Sequence, residues 1–444
     1  MTTLTLRTDP DQDAAGSDHL LDLFGVSNFK STIHLSKAFF DSNGTEVSEP
    51  YRTLFETACA VFVSDKVVSR KDTDDAWTRT LDLTIPGYPS FSDQADRQLE
   101  SMLNFLTGDR WTIHHDGDPG EWDLSLPATD GFDAVCLFSG GLDSFAGAVQ
   151  LLEKGNRVLL VGHNDSSVAP NRQRMLCDAL EAQYPDMAEF RGIRVSAMPE
   201  SDQQEAPLET VESTYRSRSI IFIATGLLAA GANGEDTPLY VPENGLISLN
   251  VPLNPSRRGT ASTRTTHPHY MAELATFAAM LGVNHNIVNP FQFATKGDMM
   301  KRFLGLPVFT DNVHNTVSCS RPERRNKYPG WKFVDRTKAN CGYCFPCVIR
   351  RAALHAAGLD DPSEYRVDIH SGPQIVDHAS QASRDLRAVI GALNRGEHPD
   401  DILRTGSLPG RHADYYDVHV RGRAELRTWL QSAPANSQIA GLVT

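Results

Sequence analysis

The chain has 444 residues, 40% of them hydrophobic, and a formal net charge of −14 at pH 7. This length predicts two or three domains with ample material for a core. The acidity argues against a broad DNA- or RNA-binding surface, although a local basic stretch could still bind phosphate, so we expect no nucleic-acid partner.

Targeting signals and cysteine usage indicate the compartment. Met1 to Pro10 lacks the basic start and apolar centre of a signal peptide, and no run is long enough to cross a bilayer. Of the seven cysteines, three lie close together at Cys341, Cys344 and Cys347. This pattern favours metal binding in a reducing compartment over disulfides. We therefore expect a cytoplasmic protein with no membrane association.

The N-terminal part predicts a tail and then a separate domain. Residues 1–19 are polar and predict a flexible tail, and residues 20–125 predict an α+β domain. Within that domain the alternation of Leu81, Leu83 and Ile85 predicts a strand. Apolar residues at 95, 99, 102, 103 and 106 predict a helix that ends at Gly108, and a short strand follows with Trp111.

The most informative stretch runs from Ala134 to Ser144. A wholly apolar run ends abruptly at Ser139-Gly-Gly-Leu-Asp-Ser144, and Phe145, Val149 and Leu152 then recur at helical spacing. This order predicts a buried strand, a tight turn and a helix. Adjacent glycines let backbone N–H groups converge on an anion such as a phosphate. The loop is neither a Walker A motif nor G-x-G-x-x-G, and its alternative interpretation is an ordinary Gly-Gly turn.

Strands and helices alternate from Ala134 onward. Further strands are predicted over 157–162, 193–197, 239–241 and 285–288, with helices over 220–230 and 272–281. The fold class is therefore α/β, with a parallel sheet covered by helices on both faces, and we assign it to residues 132–312. Ligands of such sheets bind outside the carboxyl ends of the strands, where the SGGLDS loop would lie.

A cysteine cluster follows. Cys341-Gly-Tyr-Cys344-Phe-Pro-Cys347, with Cys319 upstream, predicts a tetrahedral zinc site in a segment over 313–360. An iron–sulfur cluster held by C-x-x-C-x-x-C is one alternative, and metal-free packing or redox cysteines are another. Residues 361–444 predict a mainly helical C-terminal extension without a recognisable motif.

These motifs carry a family resemblance. Ser139-Gly-Gly-Leu-Asp-Ser144 resembles the PP-loop of the ATP pyrophosphatases, which split ATP between the α and β phosphates and place AMP on a substrate oxygen. Together with Cys319 and the C-G-x-C-x-x-C run, it is similar to the 7-cyano-7-deazaguanine (preQ0) synthase family over about Phe132 to Gly358. That resemblance implies ATP, Mg²⁺ and Zn²⁺ as cofactors. It also implies a 7-carboxy-7-deazaguanine substrate, converted to a nitrile through an adenylate and an amide.

Two features depart from that family. The substrate-recognition run is missing, since the corresponding region reads Pro242 to Asn250 and then Ser262 to Pro268. The flanking domains are additional. This architecture is similar to the synthase-like proteins of bacterial antiphage operons, such as the Qat system. The resemblance there implies that the acceptor amine could belong to a protein N-terminus in place of ammonia.

Candidate residues fall into four groups. The catalytic candidates are Ser139, Asp143, Ser144 and Lys296. The ATP-binding candidates are Phe138, Ser139, Gly140, Gly141, Leu142, Asp143, Ser144, Gly162, His163 and Arg218. The substrate-binding candidates are Glu243, Asn244, Arg264, Thr265 and His267. The metal-binding candidates are Cys319, Cys341, Cys344 and Cys347.

Several of these assignments have simpler alternatives. Lys296 could reach the phosphates or be a solvated surface lysine, and Arg218 could bind a phosphate or substrate carboxylate or lie on the surface. Glu243 and Asn244 follow a strand and could order a metal or the base, or form a turn. The Ser/Thr-rich segment that contains Arg257, Arg258 and Arg264 to His267 could be a lid or a surface loop.

Two other functions remain open from the sequence. A PP-loop enzyme of tRNA thiolation, with an iron–sulfur cluster, uses a similar loop. A nucleotide-binding regulatory subunit would bind ATP without cleaving it.

Overall fold

The computed structural model defines the following parts of the chain. It describes residues 1–8, 17–23, 33–36, 39–41, 43–71, 73–120, 125–127, 131–163, 169–197, 212, 214–253, 264–320, 322, 338–371 and 383–443.

Strands and helices are numbered in chain order. The strands are β1 (Thr2–Arg7), β2 (His19–Asp22), β3 (Ile33–Leu35), β4 (Thr45–Glu46), β5 (Thr80–Ile85), β6 (Arg110–His115), β7 (Ser125–Leu126), β8 (Ala134–Leu137), β9 (Val158–His163), β10 (Ala188–Ile193), β11 (Val195–Ala197), β12 (Leu239–Tyr240) and β13 (Ile287–Val288). The helices are α1 (Glu49–Val67), α2 (Asp93–Thr107), α3 (Leu142–Glu153), α4 (Ala169–Gln183), α5 (Arg218–Asn233), α6 (Gly245–Leu249), α7 (Pro268–Met280), α8 (Lys296–Arg302), α9 (Pro307–Thr310), α10 (Phe345–Ala356), α11 (Arg384–Asn394) and α12 (His412–Gln431).

The central sheet confirms the α/β prediction. Its strand order is β10-β9-β8-β12-β13, and every pairing within it is parallel. Along β8, Val135 and Leu137 pack into one core with α5, whereas Ala134 and Cys136 pack into another with α3. This alternation shows that helices cover both faces of the sheet.

One strand of this sheet was predicted in the wrong place. The expected third strand over 193–197 is displaced, because the strand that pairs with β9 is β10, which ends at Ile193. Val195–Ala197 instead pairs antiparallel with β3. The edge strand β10 is only partly buried, so its mixed composition, Ala188-Glu-Phe-Arg-Gly-Ile, hides it in the sequence.

The N-terminal sheet corrects the predicted tail. It has the order β2-β1-β5-β6 and is parallel throughout. Residues 2–7, expected to be part of a loose tail, form β1 inside this sheet, and Leu4 and Leu6 are fully buried. The Thr-Leu-Thr-Leu alternation is a strand pattern that the polar composition of the segment obscured. By contrast β5, α2 and β6 confirm the predicted elements, and Gly108 caps α2 with φ of +74°.

The two sheets share one hydrophobic core. Residues of β1, β5, α1 and α2 belong to the same buried cluster as Val135, Leu159 and helices α5 and α7. Helix α1 packs against α5, and its residues from Thr53 to Asp65 are buried on every side. The N-terminal α+β part therefore covers one face of the central sheet.

The C-terminal extension is helical, as predicted. Leu386, Val389 and Leu393 of α11 are buried together with Trp429 and Leu430 of α12. Helix α12 packs against α10, α6 and α8. It therefore contacts the helices α6 and α8, which follow β12 and β13 of the central sheet, and the helix of the cysteine segment, α10.

Candidate active site and metal site

The SGGLDS loop lies directly after β8, the middle strand of the central sheet. Gly140 has φ of +76°, and a Cβ there would meet the Gln173 side chain at 3.2 Å. Gln173 is fully buried and donates from Nε2 to the Phe138 carbonyl at 2.8 Å. The tight turn therefore requires glycine at 140, as a phosphate-cradling loop does.

Two hydroxyls of the loop lie side by side. Ser139 Oγ accepts from the Gly141 N–H at 3.3 Å, and Ser144 Oγ donates to the Gly141 carbonyl at 3.0 Å. The two oxygens are 3.3 Å apart. The loop thus brings together the start of α3 and two hydroxyls, a set of groups suited to phosphate oxygens.

Asp143 and Lys296 form a buried ion pair beside this loop. Lys296 Nζ lies 2.9 Å from Asp143 Oδ1, and both side chains are 8% exposed. Burial on its own would raise the pKa of Asp143, but the Lys296 charge and hydrogen bonds from neighbours lower it to about 2. Of the two interpretations of Lys296, the structure supports the one that brings it to the loop.

Asn244 joins Asp143 to the strand β12. Its Nδ2 donates to Asp143 Oδ2 at 2.7 Å and to Glu243 Oε1 at 3.0 Å. Its Oδ1 accepts from the Ile247 N–H at 3.1 Å, so the same side chain caps α6. Burial and the negative charge of Asp143 raise the pKa of Glu243 well above its usual value. The site therefore contains an ionised carboxylate, Asp143, and a carboxyl group, Glu243, that holds its proton more tightly than an ordinary glutamate does.

Four cysteines converge at the start of α10. The sulfur atoms of Cys319, Cys341, Cys344 and Cys347 all lie within 4.8 Å of one another. The Cys341–Cys347 and Cys344–Cys319 sulfur pairs are each 3.9 Å apart. Tetrahedral zinc with Zn–S bonds of about 2.3 Å places its sulfurs about 3.8 Å apart, so the cluster could hold zinc.

The same geometry bears on the iron–sulfur alternative. Thiolates of an iron–sulfur cluster bind different iron atoms and lie farther apart than the ligands of a single ion. The four sulfurs therefore fit one tetrahedral ion better than a cluster.

A tight turn positions the cysteines on either side of it. Gly342, which follows Cys341, has φ of +88°, and a Cβ there would meet the Val367 carbonyl oxygen at 2.2 Å.

The metal site and the loop are neighbours. The Val317 N–H donates to the Gly140 carbonyl at 3.0 Å, two residues before Cys319. Asn340, which precedes Cys341, accepts from the Ser318 N–H at 3.0 Å and donates to the Thr316 carbonyl at 3.1 Å. The segment of residues 316–319 thus contacts both the SGGLDS loop and the cysteine cluster.

Comparison with known proteins gives the family. The chain is 32% identical over 248 residues to the 7-cyano-7-deazaguanine synthase of Xanthomonas euvesicatoria pv. vesicatoria (strain 85-10), which covers 53% of this chain and 98% of that protein. It is 28% identical over 245 residues to the enzyme of Pseudomonas fluorescens (strain SBW25), which covers 52% of this chain and 97% of that one. The chain belongs to the 7-cyano-7-deazaguanine synthase family.

Other comparisons add nothing to this assignment. No protein-family model and no solved structure matches the chain. Within the part of the chain that the structure describes, no helix is long and apolar enough to span a bilayer.

Two of the predicted ATP-binding residues, Gly162 and His163, are buried and closely packed. A Cβ at Gly162 would meet Gln173 Nε2 at 2.6 Å, so close packing accounts for this glycine. His163 is 1% exposed, its Nε2 lies 3.1 Å from the Val195 carbonyl oxygen, and its ring contacts Phe62 edge to face. Neither residue is among the groups that meet at Asp143.

The predicted lid residues are also fixed by packing. Arg264 donates to the Phe105 carbonyl and stacks on the Phe105 ring at 4.5 Å, and Thr265 follows it. His267 is fully buried, caps α7 and lies 3.0 Å from Thr405 Oγ1. Burial, with the charge of Arg264, lowers its pKa to about 3, so this imidazole is neutral at pH 7. Arg257 and Arg258 lie outside the described residues.

Arg218 begins α5, and its role stays a prediction. The preceding Ser217 donates from Oγ to Asp65 on α1 at 2.7 Å. This contact anchors the start of α5 to the N-terminal part of the molecule.

Sequence reasoning missed two residues that shape the site. Gln173 holds the loop from α4, as described above. Glu425 of α12 accepts from the Gly297 N–H at 3.1 Å and from the Thr295 hydroxyl, beside Lys296. No local sequence pattern predicts either residue, because Gln173 and Glu425 bond to groups that are far from them in the sequence.

Proposed function

We propose that this protein is an ATP-dependent adenylating ligase that acts on 7-carboxy-7-deazaguanine or a similar purine-like acid. The Asp143–Lys296–Asn244 cluster at the SGGLDS loop is the observation that carries the proposal. It lies at the carboxyl edge of a parallel sheet, where such folds bind nucleotides. Membership of the 7-cyano-7-deazaguanine synthase family supports the same reaction class.

The proposed first step activates the acid. A carboxylate resists attack by amines because hydroxide is a poor leaving group. Its oxygen attacks the α-phosphorus of ATP, the bond from that phosphorus to the oxygen bridging to the β-phosphate breaks, and pyrophosphate leaves. In the second step an amine nitrogen attacks the carbonyl carbon, a proton passes to a base, and AMP departs to leave an amide.

The residues of the cluster have distinct proposed roles. Loop N–H groups with Ser139 and Ser144 hold phosphate oxygens, and Lys296 offsets negative charge that builds on them. Asp143 and Glu243 offer carboxylate oxygens that would hold Mg²⁺ brought with ATP, and that ion would stabilise the phosphate charges. In the second step a base that this proposal does not assign takes the proton of the amine.

The four cysteines are proposed to hold zinc in a structural role. A site closed by four protein sulfurs leaves no open position for substrate. Its contribution would be to order α10 and the segment that contacts the loop.

The acceptor and the biological setting are further parts of the proposal. The curated relatives match about half of this chain but nearly their whole length, so this chain carries additional elements. The region from Pro242 to Asn250 also lacks the family's expected recognition run. Both departures support an altered second substrate, such as a protein N-terminus, in antiviral defence.

Pyrophosphate release tests the adenylation step. Purified protein with ATP, Mg²⁺ and 7-carboxy-7-deazaguanine should release pyrophosphate in proportion to the acid. A Ser139→Ala, Asp143→Ala double variant should lose the activity, whereas Asp74→Ala, a change at an exposed position, should retain it. Equal release by the double variant would refute the proposal.

Intact mass tests the acceptor. Proteins encoded beside this chain should be co-expressed with it in cells that make the acid. A purine-sized mass increase on one of them, absent with the double variant, is the expected result. Release of a free amide or nitrile with no adduct would instead assign ammonia as the acceptor.

A further inference from the structure

Arg172 lies beside the SGGLDS loop and belongs to none of the groups described so far. It is half-buried in the first turn of α4, next to Gln173, which holds the loop. A Cβ built on Gly140 would meet the Arg172 Cβ at 3.8 Å. The side chain of Arg172 therefore starts within van der Waals distance of the turn at Gly140.

The far end of this side chain reaches a second segment that supports the loop. Arg172 Nη1 donates to Asn315 Oδ1 at 3.4 Å. Asn315 lies two residues before Val317, whose N–H donates to the Gly140 carbonyl at 3.0 Å. The guanidinium thus lies between α4 and the segment that contacts the loop.

The segment around Asn315 is firmly held. Arg350 of α10 donates to the Val313 carbonyl at 2.8 Å and to the Thr316 hydroxyl. Asn315 itself is 8% exposed. The guanidinium of Arg172 is therefore positioned by α4 on one side and by this fixed segment on the other.

Arg172 has no carboxylate partner among the described residues. Its hydrogen bond to Asn315 is long and uses a neutral acceptor. By contrast, the cation of Lys296 is already compensated by Asp143, at 2.9 Å. The triphosphate of ATP carries several negative charges at pH 7, so a bound nucleotide needs positive charge beyond that pair. A half-buried guanidinium beside the loop can supply it.

We propose that Arg172 binds the phosphates that leave as pyrophosphate, with its guanidinium donating to oxygens of the group held by the SGGLDS loop. The inference rests on the proposed function and adds a phosphate-binding residue to that same site. A planar guanidinium can donate two parallel hydrogen bonds to a phosphate. Its charge offsets the negative charge that builds on the pyrophosphate as the bond to the α-phosphorus breaks.

Binding of ATP fragments tests the inference. α,β-Methylene-ATP cannot be cleaved between its α and β phosphates, so calorimetry with Mg²⁺ can measure its Kd alongside those of pyrophosphate and AMP. We expect Arg172→Gln to raise the Kd of the analogue and of pyrophosphate at least about tenfold, because a charged hydrogen bond is lost. The Kd of AMP should stay that of wild type, since AMP lacks the leaving phosphates.

Two further variants serve as controls. Arg172→Lys keeps the charge without the planar fork, so its Kd for pyrophosphate should lie between those of wild type and Arg172→Gln. Arg174→Gln, at an exposed position of the same helix, should match wild type in every measurement. Unchanged AMP binding and an unchanged thermal midpoint in Arg172→Gln would show that this variant is folded.

The outcomes separate this inference from the proposed function. If Arg172→Gln binds the analogue and pyrophosphate as tightly as wild type, the inference is wrong. An equal loss of AMP affinity would show that Arg172 shapes the loop without binding phosphates, which also overturns the inference. If wild type binds the analogue but releases no pyrophosphate with ATP and the acid, the proposed function is wrong, and a raised Kd in Arg172→Gln would then support phosphate binding alone. No binding of the analogue by wild type would overturn both.

Discussion

A buried carboxylate such as Asp143 is stable as an anion only while its partners remain in place. Lys296 and Asn244 supply those partners from α8 and from the end of β12, two elements far apart in sequence. The geometry of the proposed active site and the local stability therefore depend on the same contacts.

Replacing Lys296 should affect both properties. Lys296→Met leaves Asp143 uncompensated, so we expect a loss of about 3–5 kcal/mol in the free energy of unfolding. Pyrophosphate release should fall at least about 100-fold, since charge on the phosphates is no longer offset. Lys301→Met, at an exposed position of the same helix, is the control for urea unfolding and activity assays. Wild-type activity in Lys296→Met would remove this lysine from the site.

The buried His267 predicts a pH dependence of stability. Its pKa is lowered to about 3 in the folded chain, against about 6.5 when unfolded. The unfolded state therefore binds the proton first. Stability is complete above about pH 6.5 and declines as the pH falls toward 3, by about 1.4 kcal/mol per unit from this residue.

Urea unfolding between pH 5 and 8 measures this dependence. His267→Gln should flatten the slope below pH 6.5 by about one proton, and the exposed His412→Gln should leave it unchanged. An unaltered slope in His267→Gln would show that the buried ring does not resist protonation.

At the scale of elements, close glycine contacts fix α12 against α8 and α6. A Cβ at Gly297 would meet Glu425 Oε1 at 2.3 Å, and one at Gly422 would meet Leu246 Cδ2 at 2.9 Å. Helix α12 therefore braces α8, which begins at Lys296, and α6, which Asn244 caps.

Adding one methyl group at this contact should disturb the site. Gly297→Ala should destabilise the protein by about 1–3 kcal/mol and reduce pyrophosphate release, because the Glu425 carboxylate must move and lose its hydrogen bond from the Gly297 N–H. Gly305→Ala, which would meet no atom within 4 Å, serves as the matched control. If both variants behave alike, α12 does not position Lys296.

The elements also show what the sequence could predict. Local patterns were sufficient for β8, the SGGLDS turn, α2 and the four cysteines, since each depends on neighbouring residues or on a short motif. The edge strand β10 and the strand β1 were misplaced, because partial burial and polar neighbours weaken the periodic signal. The contacts of Gln173 and Glu425 could not be predicted, because they join residues that only the fold brings together.

For the whole molecule, the metal cluster ties three distant segments together. Cys319, the start of α10 and the Val367 carbonyl beside Gly342 all meet there. We expect about one zinc ion per chain by elemental analysis. Cys347→Ser should lose it and lower the thermal midpoint by at least about 5 °C, since metal binding is coupled to folding.

The isolated Cys177 provides a control for that experiment. Cys177→Ser should keep the zinc content and the midpoint of the wild type. Iron in place of zinc, with a brown colour, would contradict the assignment.

The shared core predicts that the N-terminal part is required for folding. A chain of residues 132–444 would expose the face of the central sheet that α1 and α2 bury. We expect this chain to aggregate or to bind a hydrophobic dye, in contrast to the full chain. A soluble fragment with a cooperative unfolding transition would show that the central sheet folds alone.

The hydrogen bond from Val317 to Gly140 has a consequence for how the protein matures. A polypeptide made when zinc is scarce would leave the segment leading to Cys319 loose, and the SGGLDS turn, where we propose that ATP binds, would lose its outer support. Under the proposed function, such a molecule would consume no ATP until a metal ion arrived. Nutrient metal supply would then set the fraction of newly made protein that is ready to work.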